Sequence, residues 1–522
     1  MNEAAFQTEW PVGVSGKLAA GQNVSKDEAK GAPRLKPVDR QQMMLRAVDV
    51  EQLIEEDHPA RAIWELTGRM DWGGFYASIQ AVEGVAGRRA WDPRLLSSLW
   101  IYAYSRGIGS AREVARRCAY DPAFQWLTGL TEVNYHTLAD FRVGYQHTLD
   151  ELFVQVLGLL SAEGLITLER VMHDGTKIKA CAGGDSFRRE ERIRTHLEGA
   201  RAQVEAMGDP HAEPSARQRA ARQRAQRERA ERLEQAVAEM AKIQEAKVGT
   251  EAKQQARVSE TDPEARIMKQ GDGGYAPSYN VQLSTDATHG LIVGVGVSQS
   301  ASDYGELVDA VQRVEENLGQ PPQQVVTDGG FTSRGNIMAM AEKGVDLIGS
   351  LDEHNAQSAG QMRRRGVAEA FYPQAFSYDA AQDLYRCPAG ELLRYDGQEE
   401  RIGVIHYRYR AAATACAACR FKAQCCPQNE SSGRTINRAV EAPAVQAFIT
   451  KMQTDAAKAI YRLRGGVAEF PNAWIKTKLG LRQFHVRGRG KVWMETLWAC
   501  LTYNIQQWMR LRWIPQRQAG VL

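Results

Sequence analysis

One short segment, Arg170 to Ala180 (RVMHDGTKIKA), constrains the fold of this chain more than any other. The β-branched and apolar run from Leu165 to Met172 predicts a buried strand, and Asp174 followed by Gly175 stands at its end. An acid at the end of a central strand is costly to bury unless it is paired or binds a metal. Taken by itself, the segment is more typical of a strand that ends in an ordinary Asp-Gly turn.

A second strand-end acid changes that interpretation. In QVVTDGGF, Val325 and Val326 lead into Asp328, which again precedes a glycine. Two apolar strands that each end in Asp-Gly indicate two carboxylates brought side by side by one sheet. Hard divalent cations are held for phosphoryl transfer by such carboxylates.

Length and charge set broader limits. A chain of 522 residues is expected to hold about two to four domains. Its formal net charge of +3 is too small to indicate an anionic partner, so only local clusters of basic residues are informative. No segment is apolar enough to cross a bilayer, and the N-terminus lacks a secretory signal. We therefore expect a cytoplasmic protein without a membrane partner.

The order of predicted elements gives the fold class. The predicted elements follow the order strand, hairpin, helix, strand, helix, strand. This order predicts an α/β fold with an RNase H-like mixed sheet, which is preceded by an all-α domain and interrupted by two insertions. The predicted domains are a disordered leader (1–40), a helical DNA-binding domain (41–168), the catalytic domain (169–184, 262–370 and 433–513), a charged helical insertion (185–261) and a Cys-rich insertion (371–432).

Three helices are predicted in the N-terminal domain, after Asp92-Pro93, from Ser110 and from near Tyr135. Arginines are interleaved with them, which suits a helix-turn-helix-like module laid on DNA. These are Arg112, Arg116, Arg117 and Arg142. A plain helical bundle with solvated arginines fits the same residues. The charged insertion is likewise either a helical hairpin or a solvated arm.

Five cysteines fall within the second insertion. Cys416-x-x-Cys419, with Cys387 and Cys425, supplies the four thiolates of a closed zinc site, and Cys426 is able to replace its neighbour. Reduced, partly buried thiols are the alternative. Cys118, Cys181 and Cys500 are isolated, and we expect them in the core.

A two-metal site needs a third acid. We place it at Glu469, in the segment YRLRGGVAEFPNAWIKTKLG. Tyr461 and Arg464 precede Glu469 in this segment and Lys476 follows it, so cations able to grip phosphates stand beside the acid. Without the two Asp-Gly strands, an amphipathic helix with a surface salt bridge would be the better interpretation.

Together these residues resemble the DDE transposases of bacterial insertion sequences, most closely the eleven-eighty-two group. The resemblance runs from about Val48 to Trp513 and rests on six blocks in order: DGTKIKA, DPEAR with YNVQLSTD, Asp303 in DYGEL, TDGG, the Cys-rich insertion, and LRQFHVRGRGKVWMETLWACLTYNIQQW. It implies that Asp174, Asp328 and Glu469 are the catalytic triad, with Tyr461, Arg464 and Lys476 as its accessory residues.

Two positions depart from the family pattern. Asn472-Ala473 stands where Phe-Gly is usual, and Cys181 stands where a small polar residue is commoner. Neither change removes a carboxylate, so they bear on helix packing near Glu469 more than on chemistry.

The segment from Lys476 to Lys491 is rich in basic residues, including Arg487, and Phe484 lies among them. This pattern is typical of a surface that binds the phosphates of a DNA strand, and it also fits a basic face exposed to solvent. The DNA-binding residues are predicted to be Tyr461, Arg464, Lys476, Arg487 and Arg142.

The predicted protein is a transposase. It binds the terminal inverted repeats of its element in double-stranded DNA, acts as a homodimer in the DNA complex, and uses two Mg²⁺ (or Mn²⁺) ions per site for strand cleavage and strand transfer. The alternatives are a metal-dependent nuclease without strand transfer and a non-catalytic DNA-binding protein that keeps the fold.

Overall fold

In the computed structural model, a six-stranded mixed sheet forms the centre of the protein. The structure describes residues 40–520 except for 42, 44, 46, 83, 85–88, 207–215, 352–358, 402–403 and 429–431. The predicted leader, apart from Arg40, lies outside the described residues. No helix in the described part of the chain is long and apolar enough to span a membrane.

The N-terminal region is helical, as predicted. Its helices are α1 (Pro59–Thr67), α2 (Gly73–Tyr76), α3 (Pro93–Ser105), α4 (Ala111–Tyr120), α5 (Pro122–Thr128), α6 (Tyr135–Gly144) and α7 (Gln146–Ala162). The three predicted helices begin where their capping residues stand. The Asp92 side chain accepts from the backbone N–H of Arg94, and that of Ser110 accepts from Glu113. Such caps contribute about 1 kcal/mol each.

The central part of the chain carries the main sheet and a helical excursion. Its elements are β1 (Arg170–Lys179), β2 (Phe187–Arg188), α8 (Glu190–Ala206), α9 (Ala216–Ala246), α10 (Thr250–Gln254), β3 (Val258–Ser259), β4 (Arg266–Lys269), β5 (Tyr275–Asp286), β6 (Ile292–Ser298), α11 (Leu307–Leu318), β7 (Gln324–Val326), α12 (Arg334–Glu342), β8 (Asp346–Ile348) and α13 (Ala359–Arg364).

The remaining part carries a second sheet and the C-terminal helices. Its elements are β9 (Ser377–Asp379), β10 (Leu384–Arg386), β11 (Leu392–Arg401), β12 (Val404–Ala411), α14 (Ala413–Ala417), α15 (Lys422–Cys425), β13 (Thr435–Glu441), α16 (Pro443–Met452), α17 (Asp455–Arg462), α18 (Arg464–Thr477), α19 (Arg489–Trp508) and α20 (Ile514–Gln518). A π-helical turn, Met509–Trp513, joins the last two helices.

The main sheet has the order β4-β5-β1-β7-β8, and β6 pairs with β5. β5 runs antiparallel to β1 and to β6, whereas β7 is parallel to both β1 and β8. The antiparallel half follows from the predicted hairpin, and the parallel half needs the crossover helices α11 and α12. This is the order expected of an RNase H-like sheet, so the predicted α/β fold class is confirmed.

One hydrophobic core joins the N-terminal helices to the main sheet. It includes Trp100 of α3, Leu157 of α7, Val295 of β6 and Trp498 of α19. Each of these side chains is at most 3% exposed. Because α19 packs on α3, α7 and β6, the C-terminal helix ties the first helices of the chain to the sheet.

The charged segment folds as a helical hairpin. Ile193 and Leu197 of α8 pack with Leu233 and Met240 of α9 in a narrow apolar cluster. The two-stranded pair of β2 and β3 closes the base of the hairpin. The segment therefore leaves the main sheet after β1 and returns to it before β4.

The second sheet has the order β13-β12-β11-β10-β9, with all neighbours antiparallel. Its small core is made of Phe376, Leu393, Tyr409, Ala411 and Ile436. The last strand, β13, lies beyond residue 432, where the Cys-rich insertion was predicted to end.

Candidate active site

Asp174 lies within β1, not at its end as the sequence predicted. Residues 165–168 are not part of a strand, and β1 continues to Lys179 because β5 pairs with it along nearly its whole length. The parallel neighbour β7, however, pairs with β1 only from Arg170 to Met172. Asp174 therefore stands just past the point where β7 stops, and among the described residues no strand pairs with β1 on that side until Lys179, which forms a bridge with Gln483.

Asp328 follows β7 by two residues, close to the position predicted. Its Oδ1 atom accepts the backbone N–H of Gly330 at 2.8 Å, and its carbonyl accepts the hydroxyl of Thr332. These two bonds hold the Asp328 loop in a tight turn. Since β1 and β7 are parallel and adjacent, Asp174 and Asp328 come together at one edge of the sheet.

The two carboxylates influence each other electrostatically. Burial raises the pKa of Asp174 to about 6, and the charge of Asp328 pushes it in the same direction, whereas the Arg464 guanidinium opposes the rise. The Asp174 side chain is 16% exposed. A buried acid beside a second acid is a costly arrangement unless a cation joins the pair.

Gly175 is a strand glycine and not part of a turn. A β-carbon at this position would stand 2.6 Å from Oδ1 of Asp303 and 2.6 Å from Nε2 of Gln282. Both atoms belong to a polar cluster behind β1, in which Asp303 accepts from Lys177 (2.9 Å), Asn280 (2.7 Å) and Gln282 (2.9 Å). The glycine after Asp174 is therefore required by the approach of these side chains.

His173 supports the same edge of the sheet from behind. Its ring is 1% exposed and lies between Ser284 and Gln282, at 2.9 and 3.0 Å. Phe331, which follows the Asp328 loop, packs edge-on against it with ring centroids 4.8 Å apart. Burial lowers the pKa of His173 to about 4. The histidine is a neutral packing group that fixes the loop.

Helix α18 packs across β1 and brings the predicted third acid. Ala468 is buried with Met172 of β1 and Val326 of β7, and the predicted accessory residue Tyr461 packs beside them. Glu469, the next residue of α18, is 62% exposed and lies 3.6 Å from Arg464. The Arg464 guanidinium is also 4.0 Å from Asp174. A single cation thus stands between Asp174 and Glu469.

The three acids do not form a finished metal site in this structure. Among the described residues, no group of three or more His, Cys, Asp or Glu side chains is arranged to hold a metal ion. Asp174 and Asp328 are brought together, whereas Glu469 faces Arg464. The donor set nevertheless fits a divalent cation, because it consists of carboxylate oxygens whose mutual repulsion such a cation relieves.

The predicted basic residues differ in their surroundings. Burial lowers the pKa of Lys476, Asp174 opposes this effect, and Lys177 and Arg482 add to it. Lys476 therefore lies within electrostatic range of Asp174. Arg487 is exposed, and its Nε donates to the Cys181 carbonyl at 3.0 Å.

Arg142 is not on a surface. It is 7% exposed, donates to the Gly109 carbonyl at 2.5 Å and lies 3.6 Å from Glu495, with Trp100 under its guanidinium. A phosphate could reach it only if the core opened, so the predicted DNA contact is corrected to a structural role. A helical arginine looks the same in the sequence whether its partner is an internal acid or a phosphate.

Sequence reasoning also missed the role of Asn472. Its Nδ2 donates to Oδ2 of Asp174 at 3.0 Å, and the residue is 7% exposed. The only available signal was the departure from the family pattern at this position.

The five clustered cysteines line one cavity of about 30 Å³, together with Phe371 and Arg434. Cys387 lies in the turn between β10 and β11, Cys416 and Cys419 lie in and after α14, and Cys425 ends α15. The backbone N–H of Arg434 donates to Sγ of Cys416 at 3.3 Å. All eight cysteines are free; Cys118 and Cys500 are buried, as expected, whereas Cys181 is only partly buried.

Two family models match the chain. One, described as "Transposase DDE domain", matches residues 386–509, and the other, described as "Transposase domain (DUF772)", matches residues 48–143. Both matched models describe transposase domains, so the chain carries two transposase regions, of which the C-terminal one is of the DDE type. The first match contains Glu469, whereas Asp174 and Asp328 lie outside both. Divalent metal dependence is the general property of this family.

Two further comparisons add little. A solved piggyBac transposase synaptic complex with hairpin DNA is 10% identical to this transposase, over 89% of this chain and 81% of that chain, with a TM-score of 0.24. At that score the likeness supports no conclusion. No curated protein matches the chain.

Proposed function

We propose that this transposase binds the terminal inverted repeats of an insertion sequence and catalyses metal-dependent DNA strand cleavage followed by strand transfer. The observation that carries the proposal is the meeting of Asp174 and Asp328 at one sheet edge, with the α18 residues Arg464 and Glu469 beside them. The reaction takes place on DNA in the bacterial cytoplasm, within a homodimeric complex.

Asp174, Asp328 and Glu469 are the proposed metal ligands. Two Mg²⁺ or Mn²⁺ ions would activate the attacking water or 3′-hydroxyl and stabilise the leaving oxygen. The chain's own contribution is to hold the carboxylates in place: the Gly330 N–H fixes Asp328, and Asn472 and Arg464 hold Asp174. For Glu469 to join them, its side chain must leave Arg464, which frees that guanidinium for a phosphate.

The proposed DNA contacts are Tyr461, Arg464, Lys476 and Arg487. Arg482 lies near Lys476 and extends this basic surface, whereas Lys177 is paired with Asp303 behind β1. Since Arg464 and Lys476 lie near Asp174, a DNA strand gripped by them would place its phosphate beside the acids. The N-terminal helices remain the proposed site of repeat recognition, and α4 offers exposed Arg116 for it, although this residue pairs with Glu113.

The test is a cleavage assay on plasmid DNA that carries the element ends, with Asp174→Ala, Asp328→Ala and Glu469→Ala. Each change should abolish cleavage and leave end binding intact, because each removes a ligand and none removes a phosphate contact. A variant that cuts at near the wild-type rate would remove that residue from the site. Integration into a second plasmid separates a transposase from a nuclease, and absence of any nicking would leave a DNA-binding protein.

We also propose that the cysteine cavity holds one structural Zn²⁺. The cysteines are not in ligating positions, so their side chains must turn into the cavity they share. Cys387, Cys416 and Cys425 lie against the small core of the second sheet, with Cys419 or Cys426 as the fourth ligand. A module with so small a core commonly needs a metal to stay folded.

Elemental analysis of protein purified without chelator should find about one zinc per chain. Replacing Cys416 and Cys419 together with serine should remove it, whereas the same change at isolated Cys181 should not. Replacing Cys419 and Cys426 singly identifies the fourth ligand. A zinc-free wild-type protein of unchanged melting temperature would leave the cysteines as reduced packing residues.

A further inference from the structure

We infer that Asn472 is an additional residue of the metal site, which holds Asp174 through its amide nitrogen and offers its amide oxygen to the bound cation or to a water molecule on that cation. The inference rests on the proposed function of Asp174 and names a residue that neither the DDE triad nor its accessory set contains.

The first observation is the contact itself. Asn472 and Asp174 are 298 residues apart in the chain, yet Nδ2 of Asn472 lies 3.0 Å from Oδ2 of Asp174. Among the described residues, no other side chain donates a hydrogen bond to the Asp174 carboxylate within 3.5 Å, and Arg464 stands at 4.0 Å. An N–H donor to this oxygen favours the ionised carboxylate over the protonated one. Asn472 therefore stabilises the charged form that binds a metal.

The second observation is an unsatisfied atom. Asn472 is 7% exposed, and its Oδ1 atom is buried without a hydrogen-bond partner in the described part of the chain. Leaving such an acceptor unpaired costs about 1–3 kcal/mol. The oxygen is bonded to the same carbon as the nitrogen that contacts Asp174, so it lies beside that carboxylate. An amide oxygen is an ordinary ligand for hard divalent cations.

The third observation is the position of Asn472 on α18. It follows Glu469 by three residues, so the two side chains lie on one face of the helix about a turn apart. Glu469 is turned to Arg464, whereas Asn472 already reaches the sheet edge. The side chain of α18 that is hydrogen-bonded to Asp174 is thus an amide and not the third acid.

A neutral residue suits this place better than another acid. Asp174 and Asp328 already repel each other, and a carboxylate at position 472 would add a third negative charge. An apolar residue would leave Oδ2 of Asp174 without its donor. Asparagine supplies a donor for the acid and an acceptor for a cation in one short side chain.

The experiment measures Mn²⁺ binding to the full chain without DNA, by calorimetry and by the Mn²⁺-dependent rise in melting temperature. Asn472→Ala should weaken binding by roughly 10–100-fold, the usual loss when a supporting residue of a metal site is removed. Asn472→Asp should bind Mn²⁺ at least as tightly as wild type, and its melting temperature should rise more on Mn²⁺ addition than that of wild type. Thr477→Ala, an exposed position on the same helix, is the matched control and should bind normally.

The outcomes distinguish this inference from the proposed function. If Asp174→Ala abolishes Mn²⁺ binding while folded Asn472→Ala binds as wild type does, Asn472 is a structural hydrogen-bond donor and the inference is overturned. If Asn472→Ala does not fold, Asn472→Leu, which has a similar volume and lacks both amide atoms, decides the matter: Mn²⁺ binding equal to that of wild type overturns the inference. A wild-type chain that binds no Mn²⁺, or an Asp174→Ala variant that binds it normally, would overturn the proposed metal site as well.

Discussion

Two acids in this transposase each lie near an arginine, but Glu495 is fully buried whereas Asp174 is partly exposed. Glu495 of α19 is 0% exposed and accepts from the backbone N–H of His485 at 2.9 Å and from its ring at 2.8 Å. The Tyr104 hydroxyl adds a third donor at 3.4 Å, and Arg142 stands at 3.6 Å. Among the described residues, Asp174 accepts one side-chain hydrogen bond, from Asn472. Its arginine, Arg464, is 4.0 Å away and also faces Glu469, and Asp328 lies beside it as a second acid.

The difference separates a structural carboxylate from one that is available to a ligand. At Glu495, donors from several elements satisfy the charge, and the ring of His485 packs so closely on Gly109 that a β-carbon there would lie 2.3 Å from it. The site is closed, so a cation or a nucleic acid gains nothing by approaching it. At Asp174 the charge is incompletely compensated, and a divalent cation would stabilise the folded chain.

The largest expected effect on cleavage and stability comes from replacing each of the two acids, Asp174 and Glu495, with its amide. Asp174→Asn should abolish cleavage while the free energy of unfolding stays equal to or above that of wild type, because the change removes a buried charge beside Asp328. Glu495→Gln should leave cleavage per folded molecule unchanged and lower the free energy of unfolding. Plasmid cleavage and urea denaturation of both proteins measure this. If Asp174→Asn lowered the free energy of unfolding and folded Glu495→Gln lost cleavage, Asp174 would be the structural acid and Glu495 the functional one.

A second prediction concerns the arginines. Arg142→Ala should lower the free energy of unfolding by about 3–5 kcal/mol, since it leaves the Glu495 charge buried without its partner. Arg464→Ala should change it by at most about 1 kcal/mol, because its contacts are long and Glu469 is exposed. Denaturant titration compares them, and a double-mutant cycle between Arg142 and Glu495 isolates the coupling energy. A cycle that shows no coupling would mean that the pair contributes only packing.

The smallest effect is expected in the salt dependence of DNA binding. Arg464→Ala and Lys476→Ala should each weaken end binding and reduce the slope of log affinity against log salt by about 1, the share of one phosphate contact. Arg201→Ala, whose guanidinium is paired with Glu234 across the helical hairpin, is a matched arginine control outside the proposed DNA contacts. Slopes that match wild type in both test variants would make Arg464 and Lys476 structural residues of α18.

Local patterns in the sequence were sufficient to predict the elements of the fold. The strand at Val325, the hairpin of β5 and β6, and the helix starts at Asp92 and Ser110 are governed by periodicity and by capping residues next to the element they start. Asp328 was placed correctly for the same reason. The order of these elements sufficed to predict the mixed sheet, because parallel neighbours require crossover helices.

Only the tertiary structure decided how the site residues meet. Asp174 proved to lie inside β1 because β5 extends that strand, and Gly175 proved to make room for Asp303 and Gln282. Arg142 became an internal partner of Glu495, and Asn472 became the donor to Asp174. Periodicity reports which face of an element is buried, whereas the partner of a buried polar group is chosen by packing between segments hundreds of residues apart.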